Sequence, residues 1–298
     1  MAKNIPILVV KGNSLAEAYE KALISLYENG VEMSTQYDKE GDPKSLDATM
    51  TVIVNNPCAD PMISKVFPGG IADLKEYVME LQGYKDHWCK NMNDPDDKRW
   101  LYTYSGRLTN YGVWKELVDG KSTNVGHCDI NQIENIIEKL CKQPHTRQAQ
   151  AITWMPELDA DSFDPPCLQS LFYRILEDDD GTWWLNCNVR FRSNDLYDAH
   201  FMNAFGFIFF NKEIIADEIA KRTGKTVKLG RMCWFADSMH IYGHRINDFK
   251  EKFYNKLKTT KFEDRVYNLG DEMIAEMYNE AEADVLRKIK EYDETHTK

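Results

Sequence analysis

The sequence predicts an α/β (α+β) fold built on a mixed β-sheet flanked by helices. Two observations carry that expectation. The first half holds capped segments with apolar residues at helical spacing, and from about residue 149 apolar runs bounded by turn residues take over. A third bears on domain number: no Pro/Ser-rich linker, internal repeat or low-complexity tract interrupts the 298 residues, so one domain over 1–298 is expected.

Ser14 and Glu17 form a capping box, and Leu15, Ala18, Tyr19, Ala22, Leu23, Leu26 and Tyr27 then recur on one helical face until Gly30 stops the helix. Residues 35–47 read as polar loop and Ala48–Val54 as a strand. Pro68-Gly69-Gly70 breaks the chain before a helix at about 71–83. The stretch 85–127 is irregular, with an aromatic run at Trp100–Tyr104. Asp129 with Gln132 caps a helix whose stripe is Ile130, Ile133, Ile136, Ile137 and Leu140. Strands are expected at Gln150–Met155, Gln169–Leu176 and Thr182–Arg190, the last two joined by Asp180-Gly181 as a two-residue turn. Residues 194–222 read as helix broken near Asn211, and Val227–Ala236 as a strand. A charged helical segment follows from about 245 to 293, divided at Asn268-Leu269-Gly270.

Hydrophobic residues make up 43% of the chain, enough for a sizeable core. Lys and Arg number 37 against 48 Asp and Glu, a net charge of −11, which argues against a nucleic-acid partner because phosphate neutralisation needs a basic surface. No apolar stretch approaches the ~20 residues of a membrane span. The N-terminus is too polar for a signal peptide, so a cytoplasmic setting with reduced thiols is expected. The seven cysteines (58, 89, 128, 141, 167, 187, 233) contain no C-x-x-C pair, and no metal site is expected.

Several motifs dissolve on inspection. Thr223-Gly224-Lys225-Thr226 resembles a phosphate loop, but Ile219 stands where the leading Gly is needed. His240 and His244 lie four apart, yet Met239–Tyr242 alternates like a strand and no Glu sits between the two. Asp164-Pro165-Pro166-Cys167 is more informative, because two prolines fix the backbone entering the thiol. On its own it reads better as a buried structural cysteine. Arg190-Phe191-Arg192-Ser193-Asn194-Asp195 follows as a dense polar run closing an apolar strand. A guanidinium beside a thiol lowers its pKa, and Arg-Ser at a strand end suits an oxyanion or phosphate. Asn203 falls on one helical face with Asp195 and Ala199.

In order, Arg147 with Trp154, Pro165-Pro166-Cys167, Arg192-Ser193-x-Asp195, Asn203 and His240-x-Tyr242 resemble the thymidylate synthase and pyrimidine hydroxymethylase superfamily. Glu76-Tyr77-Val78-Met79-Glu80-Leu81-Gln82-Gly83 resembles its Glu-initiated helix ending in Gln-Gly. The likeness spans residues 40–245, and Trp100–Tyr104 and Arg192–Asp195 are closer to the archaeal-type synthases and hydroxymethylases than to the common bacterial synthase.

The resemblance implies a thymidylate synthase-like fold, a sheet-mediated homodimer, and one-carbon transfer to C5 of a pyrimidine deoxynucleoside monophosphate. The donor implied is 5,10-methylenetetrahydrofolate or a related pterin. In that reaction a thiolate adds to C6, C5 attacks the donor's methylene, and the resulting exocyclic methylene takes hydride to give methyl or water to give hydroxymethyl. By motif position Cys167 is the nucleophile with Arg192 beside it, Glu76 the general acid/base, and Tyr104 (or Tyr102) a group that helps remove the C5 proton. Glu76 could equally be an exposed helix acid, with Glu80 on the same face. Phosphate would be held by Arg192 and Ser193 of one subunit and Arg147 of the other, the 3′-hydroxyl by His240 and Tyr242, and the folate ring by Asp195.

Four departures stand out. Gln148 follows Arg147 where the family usually has a second Arg, and residues 35–50 hold no Arg, only Lys39 and Lys44. Leu168 and Phe191 replace the family's His and Gln. The tail is charged where the common synthase has an apolar segment that shields the intermediate from water. The leading expectation is methylation of dUMP to dTMP; the alternative is 5-hydroxymethylation of dUMP or dCMP, which a charged tail would favour. Asn203 points to uracil, since an amide can donate to O4 and accept from N3–H, whereas an Asp there suits cytosine. Ser193 favours a deoxyribonucleotide. An inert nucleotide-binding relative is the third reading, and the joint presence of Glu76 and Cys167 speaks against it.

Overall fold

The computed structural model describes residues 4–89, 99–112, 114–118, 121–126 and 130–296. The chain opens with β1 (Ile7–Gly12), α1 (Leu15–Asn29), β2 (Val31–Met33) and β3 (Ser45–Val54). After β4 (Ile63–Ser64) come α2 (Ile71–Leu81), α3 (Tyr104–Thr109), the antiparallel pair β5 (Trp114–Val118) and β6 (Lys121–Gly126), and α4 (Gln132–Lys142). The second half runs β7 (Gln150–Ile152), α5 (Pro156–Asp159), β8 (Leu168–Glu177), β9 (Trp183–Asp195), α6 (His200–Phe209), α7 (Asp217–Thr223) and β10 (Val227–Ile241). It closes with α8 (Ile246–Lys252), β11 (Val266–Tyr267), which pairs with β4, and α9 (Glu272–His296).

The main sheet has the order β1-β3-β10-β9-β8-β7, with β2 beside β3. It is mixed: β1 and β3 are parallel, as are β10 and β9, whereas β3–β10, β8–β9 and β7–β8 are antiparallel. Alternation sets its faces. On β3, Ala48, Met50, Val52 and Val54 are buried while Thr49, Thr51 and Ile53 turn to the other side. Among the described residues, the helices pack on the buried face. Ile7 and Val9 on the opposite face are 73% and 65% exposed.

Helix α6 is largely apolar and interior, with Phe201, Ala204, Phe205, Phe207 and Ile208 buried and only Met202 and Asn203 partly exposed. Its contact with α2 depends on Gly206: a Cβ there would lie 2.5 Å from the Tyr77 ring. Beyond Phe209 the helix widens into a π-helical turn over Phe210–Ala216, the break expected near Asn211. The buried Asn211 amide accepts the Tyr173 hydroxyl proton at 2.7 Å. The loop before Cys167 is braced by a buried ion pair, Arg107 to Asp159 at 2.8 Å, whose acid also accepts the Met155 amide. Removing either partner of such a pair costs about 3–5 kcal/mol, since a charge is left buried alone.

Several expected boundaries are corrected. Strand β1 was not anticipated, and the stretch 85–127 holds α3 and the β5–β6 pair. Helix α4 is capped by Asn131, whose side chain accepts the Glu134 amide. Asp129 lies outside the described residues, and Ile130 stands before the helix, 41% exposed. The link between β8 and β9 spans residues 178–182, longer than a two-residue turn, because Asp178 and Asp180 both accept the Thr182 amide. Helix α6 starts at His200 rather than at residue 194, since β9 continues through Asp195 beside β10. Strand β10 itself runs on to Ile241, so His240 lies in the sheet.

Candidate active site

Cys167 sits immediately before β8. Its carbonyl accepts the Arg192 amide at 2.9 Å, which ties the loop to β9. The Arg192 guanidinium donates to the carbonyls of Pro166 and Pro165, at 3.1 and 2.5 Å. The prolines supply acceptors at fixed backbone angles, and the planar fork reads both. Half-buried, the thiol sits above its ordinary pKa: burial pushes it up, Arg192 offsets part of this, and Asp164 adds to the rise. Arg192 acts in the downward direction expected of a guanidinium beside a thiol, but desolvation outweighs it in the free protein. Alkylation of Cys167 by iodoacetamide is expected to accelerate about tenfold per pH unit from pH 7 to 9 without levelling. A plateau below pH 8 would contradict the burial argument.

Tyr104, at the first turn of α3, accepts the Leu168 amide with its hydroxyl at 3.2 Å. Burial and the neighbouring Cys167 both push the phenol up, so it is a proton donor at neutral pH. Tyr102 lies alongside, ring centroids 5.8 Å apart, with the Arg107 guanidinium over its own ring.

The β9–β10 register brings the next group together. Ser193 pairs with Ser238 and Asp195 with His240. Asp195 Oδ1 accepts the amides of Tyr197 and Asp198, both at 3.0 Å, and burial pushes its carboxyl up to about 6. Ser238 gives its only hydroxyl proton to Asp47 at 2.5 Å, so its oxygen can only accept from His240 Nδ1–H at 3.4 Å. His240 Nε2 is thereby left as a buried acceptor without a partner, on a ring whose pKa burial lowers to about 4. Tyr242 packs edge-on against this ring at 4.7 Å, and burial, Asp195 and Tyr37 raise its phenol to about 12.

Asn203, one turn into α6, accepts from Asn194 Nδ2 at 3.0 Å and donates to the Tyr77 hydroxyl at 2.7 Å. Its amide keeps one N–H and one lone pair for a ligand. Glu76 is one residue from Tyr77 on α2, but both its oxygens go to lysines: Lys85 at 2.7 Å and Lys288 of α9 at 2.9 Å. Burial alone would raise this carboxyl; the two lysines outweigh it and hold it below the usual range. Glu80 shares Lys85 at 3.4 Å and, more buried, is shifted up.

A thymidylate synthase family profile matches residues 74–294, most of the chain. The chain belongs to the thymidylate synthase family. Among its relatives, a Methanocaldococcus jannaschii protein named "Putative thymidylate synthase" is 31% identical over 256 residues, covering 83% of this chain and 96% of that one. Proteins of the same name from Methanosarcina acetivorans and Methanothermobacter marburgensis are 26% and 28% identical, over 79% and 59% of this chain and 90% and 65% of theirs. The archaeal character noted in Trp100–Tyr104 and Arg192–Asp195 agrees with these sources.

Against the thymidylate synthase pattern, the structure joins Cys167, Arg192 and Tyr104 at the start of β8, and Ser193, Asp195, His240 and Tyr242 along β9 and β10. Asn203 joins the α2 side through Tyr77. Glu76 is held by Lys85 and Lys288 and makes no hydrogen bond to these groups. Arg147 is exposed in the link between α4 and β7, and no acid among the described residues pairs with it. Tyr77, Asn194, His200, Ser238 and Asp47 were missed by sequence reasoning. Tyr77 and Asn194 sit inside quoted motifs without a role; Asp47, 191 residues from Ser238, had no local signal.

Proposed function

We propose that this thymidylate synthase family member methylates dUMP at C5 to give dTMP. The observation that carries the reading is the Cys167 loop clamped by Arg192, with the proton-bearing Tyr104 beside it and the Asn203 amide keeping one donor and one acceptor. The uracil edge fits that amide: O4 takes the spare N–H, and N3–H meets the spare lone pair. Once its proton has passed to solvent, Cys167 Sγ forms a bond to C6, and the C5=C6 electron pair moves toward C5 and O4, where Asn203 N–H stabilises the charge. His240 Nε2, an acceptor without a partner, suits the proton of a 3′-hydroxyl. Arg192 keeps three unused N–H donors for phosphate. Tyr104, which bears its own proton, helps remove the C5 proton as a relay, accepting it as its hydroxyl proton passes on to solvent. Glu76 serves as the general acid/base once Lys288 releases it.

The donor set also fits a pterin ring, since Asp195 Oδ2 is free of the backbone amides that occupy Oδ1. When bound, 5,10-methylenetetrahydrofolate supplies the one-carbon unit and the hydride. The sheet face without helices among the described residues supports a homodimer: Ile7 and Val9 are exposed on it, and Phe172, Cys233 and Phe235 line a depression of about 560 Å³ there. Arg147, exposed and without an acidic partner among the described residues, suits a role in the partner's phosphate site. Mixing Arg147→Ala with Cys167→Ser subunits, each inactive alone, is then expected to restore sites holding one intact copy of each; a verified heterodimer without activity would remove Arg147 from the interface.

One observation favours hydroxymethylation instead. The helix packed on α2 is charged and reaches Glu76 with a lysine, so it does not form an apolar screen against water. Mass spectrometry of the product from dUMP or dCMP with methylenetetrahydrofolate separates the readings: a gain of methyl on dUMP supports the synthase, and a gain of hydroxymethyl replaces it.

A further inference from the structure

We propose that His200, acting through Asn194, fixes which way the Asn203 amide faces and thereby which pyrimidine the site accepts. This rests on the reading that Asn203 meets the base. Four side chains form one hydrogen-bonded line. His200 Nδ1 lies 2.6 Å from Asn194 Oδ1, Asn194 Nδ2 donates to Asn203 Oδ1 at 3.0 Å, and Asn203 Nδ2 donates to the Tyr77 hydroxyl at 2.7 Å. A primary amide has an acceptor on one side and a donor on the other. The direction of the first bond is therefore handed to the second and the third.

The line can run in only two directions. With a proton on His200 Nδ1 it runs as found, and Asn203 offers its spare lone pair and N–H in the arrangement that matches N3–H and O4 of uracil. With the proton on Nε2, Nδ1 becomes an acceptor and both amides turn over. Asn203 then offers an N–H to a bare N3 and an oxygen to an exocyclic amine, which is the cytosine edge. Tyr77 tolerates either direction because its hydroxyl can accept or donate.

His200 is completely buried, and burial lowers its pKa to about 3, so the ring is neutral and has a single N–H to place. Its Nε2 has no hydrogen-bond partner among the described residues. A proton there would leave a buried N–H unmatched, which folded proteins tolerate less well than an unmatched lone pair. On Nδ1 the same proton is bonded. The buried, partnerless side of the imidazole thus selects the tautomer, and the tautomer selects the base. His200 and Asn194 are positioning residues, since neither needs to touch the nucleotide.

Asn194→Asp tests the line. A carboxylate at this position accepts from both neighbours, so the Asn203 amide turns its N–H toward it and accepts from the Tyr77 hydroxyl. The ratio of dissociation constants for dUMP and dCMP, measured by calorimetry on the full chain, is expected to shift toward dCMP by about ten- to a hundredfold, the cost of a mismatched buried polar group. Asn194→Ala, which cuts the line without adding charge, should narrow the preference without reversing it. On the parent protein, 15N chemical shifts of the imidazole nitrogens, with His200 assigned by its loss in His200→Phe, should show Nδ1 protonated. A folded Asn194→Asp protein with the parent's ratio, or a proton on Nε2 of His200, overturns the proposal while leaving the enzymatic reading in place. A parent protein that binds neither nucleotide overturns that reading and the proposal with it. If Asn194→Asp does not fold, the tautomer measurement alone decides.

Discussion

Cys167→Ser is expected to lower turnover by at least about a thousandfold, because a hydroxyl at this position cannot supply the anion that a thiol can. The fold should survive. The side chain is only partly buried, Ser is smaller by little more than the difference between oxygen and sulfur, and the clamp on the loop uses the carbonyls of Pro165, Pro166 and Cys167, which the substitution leaves alone. Denaturing mass spectrometry with 5-fluoro-dUMP and methylenetetrahydrofolate should find a covalent adduct on the parent and none on the variant. Equivalent changes at the other six cysteines, Cys58, Cys89, Cys128, Cys141, Cys187 and Cys233, should keep the adduct. Near-full activity in Cys167→Ser would remove the proposed mechanism at its first step.

Asn203→Asp should reverse or erase a preference for dUMP over dCMP. The parent amide meets uracil's acceptor–donor edge, whereas with cytosine its N–H would face the exocyclic amine. An unpaired buried polar group costs about 1–3 kcal/mol, or roughly ten- to a hundredfold in kcat/KM. The introduced carboxyl accepts from that amine, and it also accepts the Asn194 N–H that already points at this side chain. Tritium release from C5 is the suitable measurement, since it reports methylation and hydroxymethylation alike. A parent that prefers dCMP would move the assignment to a cytosine hydroxymethylase and leave the Cys167 chemistry in place.

Much of this was readable from residues in order. Helix α1 declares itself through Ser14 and its apolar stripe, and the strands β8, β9 and β10 through apolar runs between turn residues. Asn203 reads as helical and lies on α6, whereas Asp195 reads as the start of that helix and lies at the end of β9, and His240 lies on a strand that runs past its expected end at Ala236. What was not readable depends on distance. β1 carries Ile7 and Val9 on an uncovered face, so it lacks the buried–exposed contrast that marks an edge strand from its sequence. The start of α6 was misplaced because Asp195 and Ala199 do continue into an i, i+4 pattern, through turn hydrogen bonds that precede the helix proper. The sign of the Cys167 shift could not follow from a neighbouring Arg alone, since burial is a property of the assembled core. The pairing of Glu76 with Lys288 spans 212 residues and leaves no local trace.

That pairing makes a proton and a helix compete for the same carboxylate. Lys288 binds only the ionised form of Glu76, so seating α9 makes Glu76 harder to protonate, and protonating Glu76 loosens α9 by the same free energy. Lys288 is half exposed and screened by water, which makes the coupling a bias and not a lock. Each time Glu76 takes up a proton the last helix loses a tether, and each time the helix reseats it helps to drive that proton off. On the proposed reading, in which Glu76 moves protons in the site, the seating of the last helix and that proton transfer are coupled.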